Sequence, residues 1–157
     1  MRIALATDHA GFELKELLKE FLVSELGHDV VDCGARTLVP DDDYPQYVRA
    51  AAQKVAAGEV ARAIVCGASG QGEAIVANRI PGVRAVVYYA ETGDQLDATE
   101  KTLSMIASTR EHNDANVLSL GARFLSDEDA RDAVRLWLAT PFSQETRHQR
   151  RIREIDA

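Results

Sequence analysis

Five times along this chain a short apolar run ends on a loop marked by Gly, Asp or Pro, and a stretch of helical period follows. The runs are 2–7, 29–33, 63–66, 84–89 and 117–120. After the first, Leu14, Leu17, Leu18, Phe21 and Leu22 recur at helical spacing and stop at Gly27. After the second, a loop over 34–43 with Pro40 and three consecutive aspartates leads into an alanine-rich helix over 44–57. Gly67 to Gly72 form a glycine loop, and a short helix follows that Glu73 opens and that ends near Ile80-Pro81-Gly82. A helix over 127–139 carries Trp137 in its last turn, which suits either the core or a subunit contact, and a basic helix runs from Ser143 onward. Strands alternating with helices at this spacing predict βαβ crossovers. The expected fold is a three-layer, Rossmann-like α/β domain, with a five-stranded, mostly parallel sheet and a C-terminal basic helix. At 157 residues with 46% hydrophobic content, the whole of 1–157 is expected to form one domain with a real core.

Charge and cysteine usage narrow the function classes. With 18 Lys+Arg against 25 Asp+Glu the net charge is −7, which argues against nucleic acid as a partner and makes any anion site local. No run approaches the roughly 20 apolar residues of a membrane span. The first residues reach Asp8 with no separate apolar leader, so the expected location is cytoplasmic. Cys33 and Cys66 close apolar runs and belong to no Cys/His cluster, so they are expected to be reduced core thiols.

In a parallel sheet the ligand lies beyond the carboxyl ends of the strands, which directs attention to the loops there, expected to hold Asp8-His9, Asp43-Tyr44, the glycine loop and the polar residues around His112 and Arg123. The glycine loop, between a strand and a helix, turns main-chain N–H groups toward one point and favours negative charge. Three readings compete. A dinucleotide fingerprint fits Gly70 and Gly72, and Glu91 stands at a distance suited to a ribose, but Ile75 fills the place of the third small residue. A P-loop lacks its Gly-Lys-Ser/Thr. An oxyanion hole fits Ser69 on the loop and Glu73 on the first helical turn, although a glutamate there is also an ordinary partner of the helix dipole. Asp8, likewise, suits a plain helix cap as well as a chemical role.

In order along the chain, Asp8-His9-Ala10-Gly11 with Lys15, Asp43-Tyr44-Pro45, Gly67 to Glu73 with Asn78-Arg79, Gly82-Val83-Arg84-Ala85, Glu111-His112-Asn113, Gly121-Ala122-Arg123 and Arg147-His148-Gln149-Arg150-Arg151 resemble the motifs of the type B ribose-5-phosphate isomerases and their sugar-phosphate isomerase relatives. The resemblance spans nearly the whole chain. It implies aldose–ketose isomerisation through a cis-enediolate, with no metal and no cofactor. Glu73 matches the carboxylate base of one branch; the cysteine of another branch falls at Gly67, so Cys66 is one place out of register. By resemblance Ser69 relays protons, and the amides from Ser69 through Gly70, Gln71 and Gly72 to Glu73 stabilise the oxyanion. His112, helped by Asp8, opens the sugar ring. Asn113 and Tyr44 hold hydroxyls. Arg123, Arg147 and Arg151 grip the phosphate with His9, and His148 lies close by. Arg147 and Arg151, four apart, share a helix face. The sites of this family lie between two subunits, so a homodimer, or dimers paired into a tetramer, is implied.

The chain departs from the family in carrying extra residues between Arg84 and His112, around 91–108. Leu96, Leu103 and Ile106 fit a continued helical stripe and Thr92-Gly93-Asp94 a break; an extended helix, a lid or a subunit contact all suit. The expectation is that this segment reshapes the non-phosphate end of the pocket and changes the preferred sugar length. Ala68 precedes Ser69, and Arg79 stands where the family commonly has Lys. Ribose 5-phosphate and ribulose 5-phosphate are the expected pair. The alternatives are a tetrose 4-phosphate or hexose 6-phosphate isomerase, or a non-catalytic binder of phosphorylated ligands.

Overall fold

A computed structural model describes residues 1–90, 95, 96, 100 and 102–157. Five strands, β1 (Arg2–Thr7), β2 (Asp29–Asp32), β3 (Arg62–Gly67), β4 (Ala85–Tyr88) and β5 (Val117–Gly121), form one sheet in the order β2-β1-β3-β5-β4. Every pairing is parallel, one step beyond the mostly parallel sheet expected. The helices are α1 (Phe12–Glu20), α2 (Tyr44–Ala56), α3 (Gln71–Ala77), α4 (Met105–Asn113), α5 (Asp127–Ala139) and α6 (Thr146–Ile155).

Side chains alternate across the sheet, so one strand serves two cores. Ile3 and Leu5 of β1 face Leu14 and Leu18 of α1, Ile106 of α4, and Val134 and Trp137 of α5. Ala4 and Ala6, one residue out of phase, face Val48, Ala51 and Ala52 of α2 and Ala77 of α3. Alanines on both sides of this second layer bring helix and sheet close together. Trp137 is fully buried beneath the Arg62 and Arg110 guanidinium groups, at 5.1 and 5.9 Å, and so belongs to the core of the protomer. Truncation of such a residue to Ala costs about 3–5 kcal/mol.

Apart from small shifts at strand ends, three segments differ notably from the sequence expectations. Helix α3 ends at Ala77, before Ile80, because the Asn78 amide turns aside to bond both the N–H and the C=O of Ala85, at 2.7 and 2.9 Å. Helix α6 starts at Thr146, because Gln144 has a left-handed φ of +59° and Glu145 an extended ψ of 136°. The helical stripe through Leu96 and Leu103 is not formed: Leu96 pairs antiparallel with Thr102, and Leu103 N–H donates to the Gln95 carbonyl at 2.7 Å. Only Ile106 of that stripe is helical, since Ser104 caps α4 through Ala107 N–H and fixes its start at Met105. Glu91 and the Thr92-Gly93-Asp94 break lie outside the described residues.

Candidate functional site

The chain runs outward in opposite directions from the β1/β3 pair, which places the topological switch point between their carboxyl ends. The loop after β1 carries Asp8 and His9; the loop after β3 is the glycine loop. Glu73, on the first turn of α3, is only 4% exposed, and its side chain folds back over the end of β3. A methyl group on Gly67 would overlap the Glu73 carboxylate, so the glycine there makes room for the acid. A base rooted at residue 67 and one rooted at residue 73 would therefore compete for one space. Burial pushes the Glu73 pKa up, its own backbone N–H pulls it partly back, and the negative charge of Asp8 pushes it up further; the net shift is upward. A carboxylate whose pKa is raised is a stronger base than a free one, which suits it to taking up a proton. Cys66 is fully buried in β3, and desolvation, reinforced by Glu73, pushes its thiol up to about 12. It is the protonated core residue expected, and Cys33 is also unbridged.

Helix α3 starts from Gly70, whose φ of +75° lies in the left-handed region that glycine enters without strain. Around it, Ser69 Oγ stands 3.4 Å from Gln71 N, and the Tyr44 hydroxyl rests against the bare Cα of Gly72. Asp8 caps the turn His9–Gly11 by accepting from Ala10 N–H at 2.9 Å, so the capping reading of this residue is realised. Asp42 accepts from both the backbone N–H and the ring Nδ1 of His9, at 2.7 and 3.0 Å. That bond raises the His9 pKa against an opposing desolvation, with the Asp8 charge adding to it, and favours a cationic imidazolium. Asp8, His9 and Asp42 also bring three possible metal-ligand atoms within 4.8 Å, but His9 Nδ1 is already engaged by Asp42. Arg123, exposed just after β5, completes this rim.

The remaining expected residues lie elsewhere. His112 and Asn113 end α4, immediately before β5 begins, and α6 with Arg147, His148 and Arg151 packs against that helix. They occupy the amino-end rim of the sheet. At about 3.3 Å per residue, six-residue β3 alone sets the two rims about 20 Å apart. Arg147, Arg150 and Arg151 are exposed, whereas His148 is buried with its ring 4.4 Å from that of His112. Its Nδ1 lies 3.1 Å from Ser143 Oγ and 3.3 Å from the Glu111 carbonyl, so its position suits support of His112 rather than contact with a ligand. A cleft of about 460 Å³ lined by Arg79, Arg84, Asn113 and Asp156 opens on this rim, away from Glu73.

Two contacts of the site went unread in the sequence. Asp42 was visible only as one of three loop aspartates, and nothing in spacing distinguishes it as the partner of His9. Tyr89 closes the fourth apolar run, yet its hydroxyl donates to the Ser69 carbonyl at 2.8 Å and accepts from Gln71 Nε2 at 3.0 Å. Only sheet order brings residue 89 beside residue 69.

A buried acid of raised pKa stands beside a loop of main-chain donors at the switch point of a Rossmann-like α/β sheet, an arrangement able to move a proton and to hold an anion. The chain belongs to the Ribose/Galactose Isomerase family, whose profile matches residues 3–155. It is 39% identical to the ribose-5-phosphate isomerase B of Mycobacterium tuberculosis over 152 residues, 97% of this chain and 86% of that enzyme. It is 33% identical to D-erythrulose-4-phosphate isomerase 2 of Mycolicibacterium smegmatis over 158 residues, 100% of this chain and 96% of that one. The structure of ribose-5-phosphate isomerase B from Mycoplasma genitalium with bound ribulose-5-phosphate superposes with a TM-score of 0.86 at 32% identity, covering 99% of this chain and 93% of the other.

Proposed function

We propose that residues 1–157 act as one unit, an aldose–ketose isomerase that interconverts ribose 5-phosphate and ribulose 5-phosphate. The observation that carries this reading is Glu73: an acid buried over Gly67, with its pKa raised, beside the glycine loop. In its ionised form Glu73 takes the proton from the carbon next to the carbonyl and returns it to the neighbouring carbon. Charge then builds on the substrate oxygen, where the amides of 69–73 meet it, while Ser69 relays protons between the two oxygens. Loss of one such donor typically raises a barrier by about 3 kcal/mol. His9, whose pKa the Asp42 hydrogen bond raises, joins Arg123 at the phosphate. Tyr44 holds a sugar hydroxyl. The likeness to an erythrulose-phosphate isomerase supports a second reading, in which a tetrose phosphate is preferred.

The remaining roles need a second chain. His112, with Asp8, opens the ring, Asn113 holds a hydroxyl, and Arg147 and Arg151 close on the phosphate. Since these groups end on the rim opposite Glu73, one protomer supplies Glu73 and its partner supplies His112 and the arginines. A homodimer is thus the working unit, in a protein that operates in the cytoplasm. Among the described residues no helix is long and apolar enough to cross a membrane.

Ribose 5-phosphate in deuterated water should acquire deuterium at C2, and Glu73→Gln should lower turnover roughly 100-fold or more while substrate still binds. A binder without catalysis would show affinity and no exchange. Mixing unfolded Glu73→Gln and His112→Ala chains and refolding them should restore about a quarter of wild-type turnover, because half the dimers are mixed and each holds one intact site of two. No recovery would place both groups in one chain. The extra residues around 91–108 are proposed to shape the non-phosphate end of the pocket; deletion that leaves the relative turnover of tetrose, pentose and hexose phosphates unaltered would refute this.

A further inference from the structure

The glycine loop is held by its carbonyls. In a trans peptide the C=O of one residue and the N–H of the next point opposite ways in one rigid plane, so anchoring the former aims the latter. The Gly67 and Ala68 carbonyls accept main-chain N–H groups of Ala122 and Arg123, at 2.8 and 3.1 Å. The next two are held by side chains: Ser69 C=O by the Tyr89 hydroxyl at 2.8 Å, and Gly70 C=O by the buried Ser119 hydroxyl at 2.6 Å. Four successive carbonyls are thus anchored, and the amides of residues 68–71 are aimed to the other side.

We propose that Tyr89 and Ser119 are positioning residues of the isomerisation, whose hydroxyls aim and polarise the Gly70 and Gln71 amides for the enediolate oxygen. The inference rests on the oxyanion-cradle reading above and adds what keeps that cradle ready. Catalytic donors act most strongly when they need no reorientation as charge develops. A hydrogen bond to the carbonyl of a peptide also strengthens donation by its own N–H. Gln71 N–H is available for this, since its contact with Ser69 Oγ is a long 3.4 Å. The Tyr89 hydroxyl has little choice of direction: Gln71 Nε2 supplies it with a donor at 3.0 Å, which leaves its own proton for Ser69 C=O. Its ring is braced edge-on by Phe124, with centroids 5.3 Å apart, and fills space that a Cβ on Gly121 would take, 2.7 Å from Tyr89 Cε1. Gly70 C=O also receives Ala74 N–H at 3.1 Å, so Ser119 shares its task with the first turn of α3.

The test compares Tyr89→Phe and Ser119→Ala with wild type in three readouts: kcat and KM for ribose 5-phosphate, inhibition by a four-carbon phosphosugar hydroxamate that mimics the enediolate against inorganic phosphate, and the ¹H–¹⁵N shifts of Gly70 and Gln71. Tyr89→Phe should lower kcat and hydroxamate affinity about 5- to 10-fold, part of the hundredfold or more for deleting a donor outright. KM and phosphate affinity should stay within about twofold, and the Gly70 amide proton should move upfield as its peptide loses polarisation. Ser119→Ala should repeat this about threefold, at Gln71. Phe124→Ala, which loosens the ring and keeps the hydroxyl, should weaken the hydroxamate less than Tyr89→Phe does. Unchanged kcat, or equal losses for hydroxamate and phosphate, would overturn the inference. If Tyr89→Phe fails to fold, Ser119→Ala, which removes a single oxygen atom, decides it by the same readouts. Full turnover in Glu73→Gln would instead overturn the isomerisation mechanism itself, and the two failures are therefore distinguishable.

Discussion

Two carboxyl groups at the carboxyl-end rim are treated in opposite ways. Asp32, at the end of β2, is desolvated, which alone would raise its pKa. Lys15, the Gly34 N–H and Lys19 more than offset this, and its pKa is lowered. Lys15 is fully buried and reaches both Asp32 oxygens at 2.9 Å and the Ala35 carbonyl at 2.6 Å. Glu73 is desolvated too, yet the charge acting on it is that of Asp8, which pushes its pKa the same way as burial. One acid is favoured as an anion and ties the β2 loop to α1; the other has its ionised form disfavoured. Partner charge, rather than burial, separates the acid whose pKa is lowered from the one whose pKa is raised.

The comparison can be broken at its strongest point first. Lys15→Met would leave Asp32 without its main partner and should destabilise the fold by about 3–5 kcal/mol, read from denaturant unfolding. The loss should shrink as pH falls. A lowered carboxylate pKa stabilises above the unfolded value and gives that stability up as pH drops through the folded one. Gly67→Ala comes next. Its methyl group displaces the Glu73 carboxylate, so overpacking should cost about 1–3 kcal/mol in thermal unfolding, together with most of the turnover.

Glu73→Gln should act in the reverse direction on stability. A raised acid pKa contributes stability that is complete below the usual glutamate value of 4.5 and is lost as pH rises through the folded value. Removing the ionisable group should therefore stabilise the protein at pH values where Glu73 is ionised. The gain should vanish below pH 4.5 in a pH series of melting temperatures. Lys19→Ala, at a half-exposed ion pair with Asp32 and Glu16, should cost only about 0.2–1 kcal/mol, and less in high salt. If Lys19→Ala matched Lys15→Met, burial of the lysine would not be what matters.

Asp32 and Lys15 also mark where reading the chain stops. In the sequence Lys15 stands only within a motif and Asp32 only within an apolar run. Their contact joins residues 17 apart across α1 and β2. Glu73 and Ser69 were legible because loop and helix are contiguous and their chemistry is local. His112 and the terminal arginines were legible as residue types through resemblance, but not as occupants of the far rim. His148 is the sharpest case: it belongs to the same basic run as Arg147 and Arg151, and only packing of α6 on α4 turns its ring inward.

By itself the sequence determined the alternation of strands and helices, the glycine loop and the acid that follows it. Those are consequences of side-chain period and backbone freedom, which act over a few neighbouring residues. Tertiary structure decided that β5 inserts between β3 and β4, that Tyr89 and Ser119 meet the loop, that Asp42 meets His9, and that Glu73 and His112 stand a strand length apart. Each of these follows from which strands become neighbours and how helices cover them, and that is settled by burying the sheet as a whole.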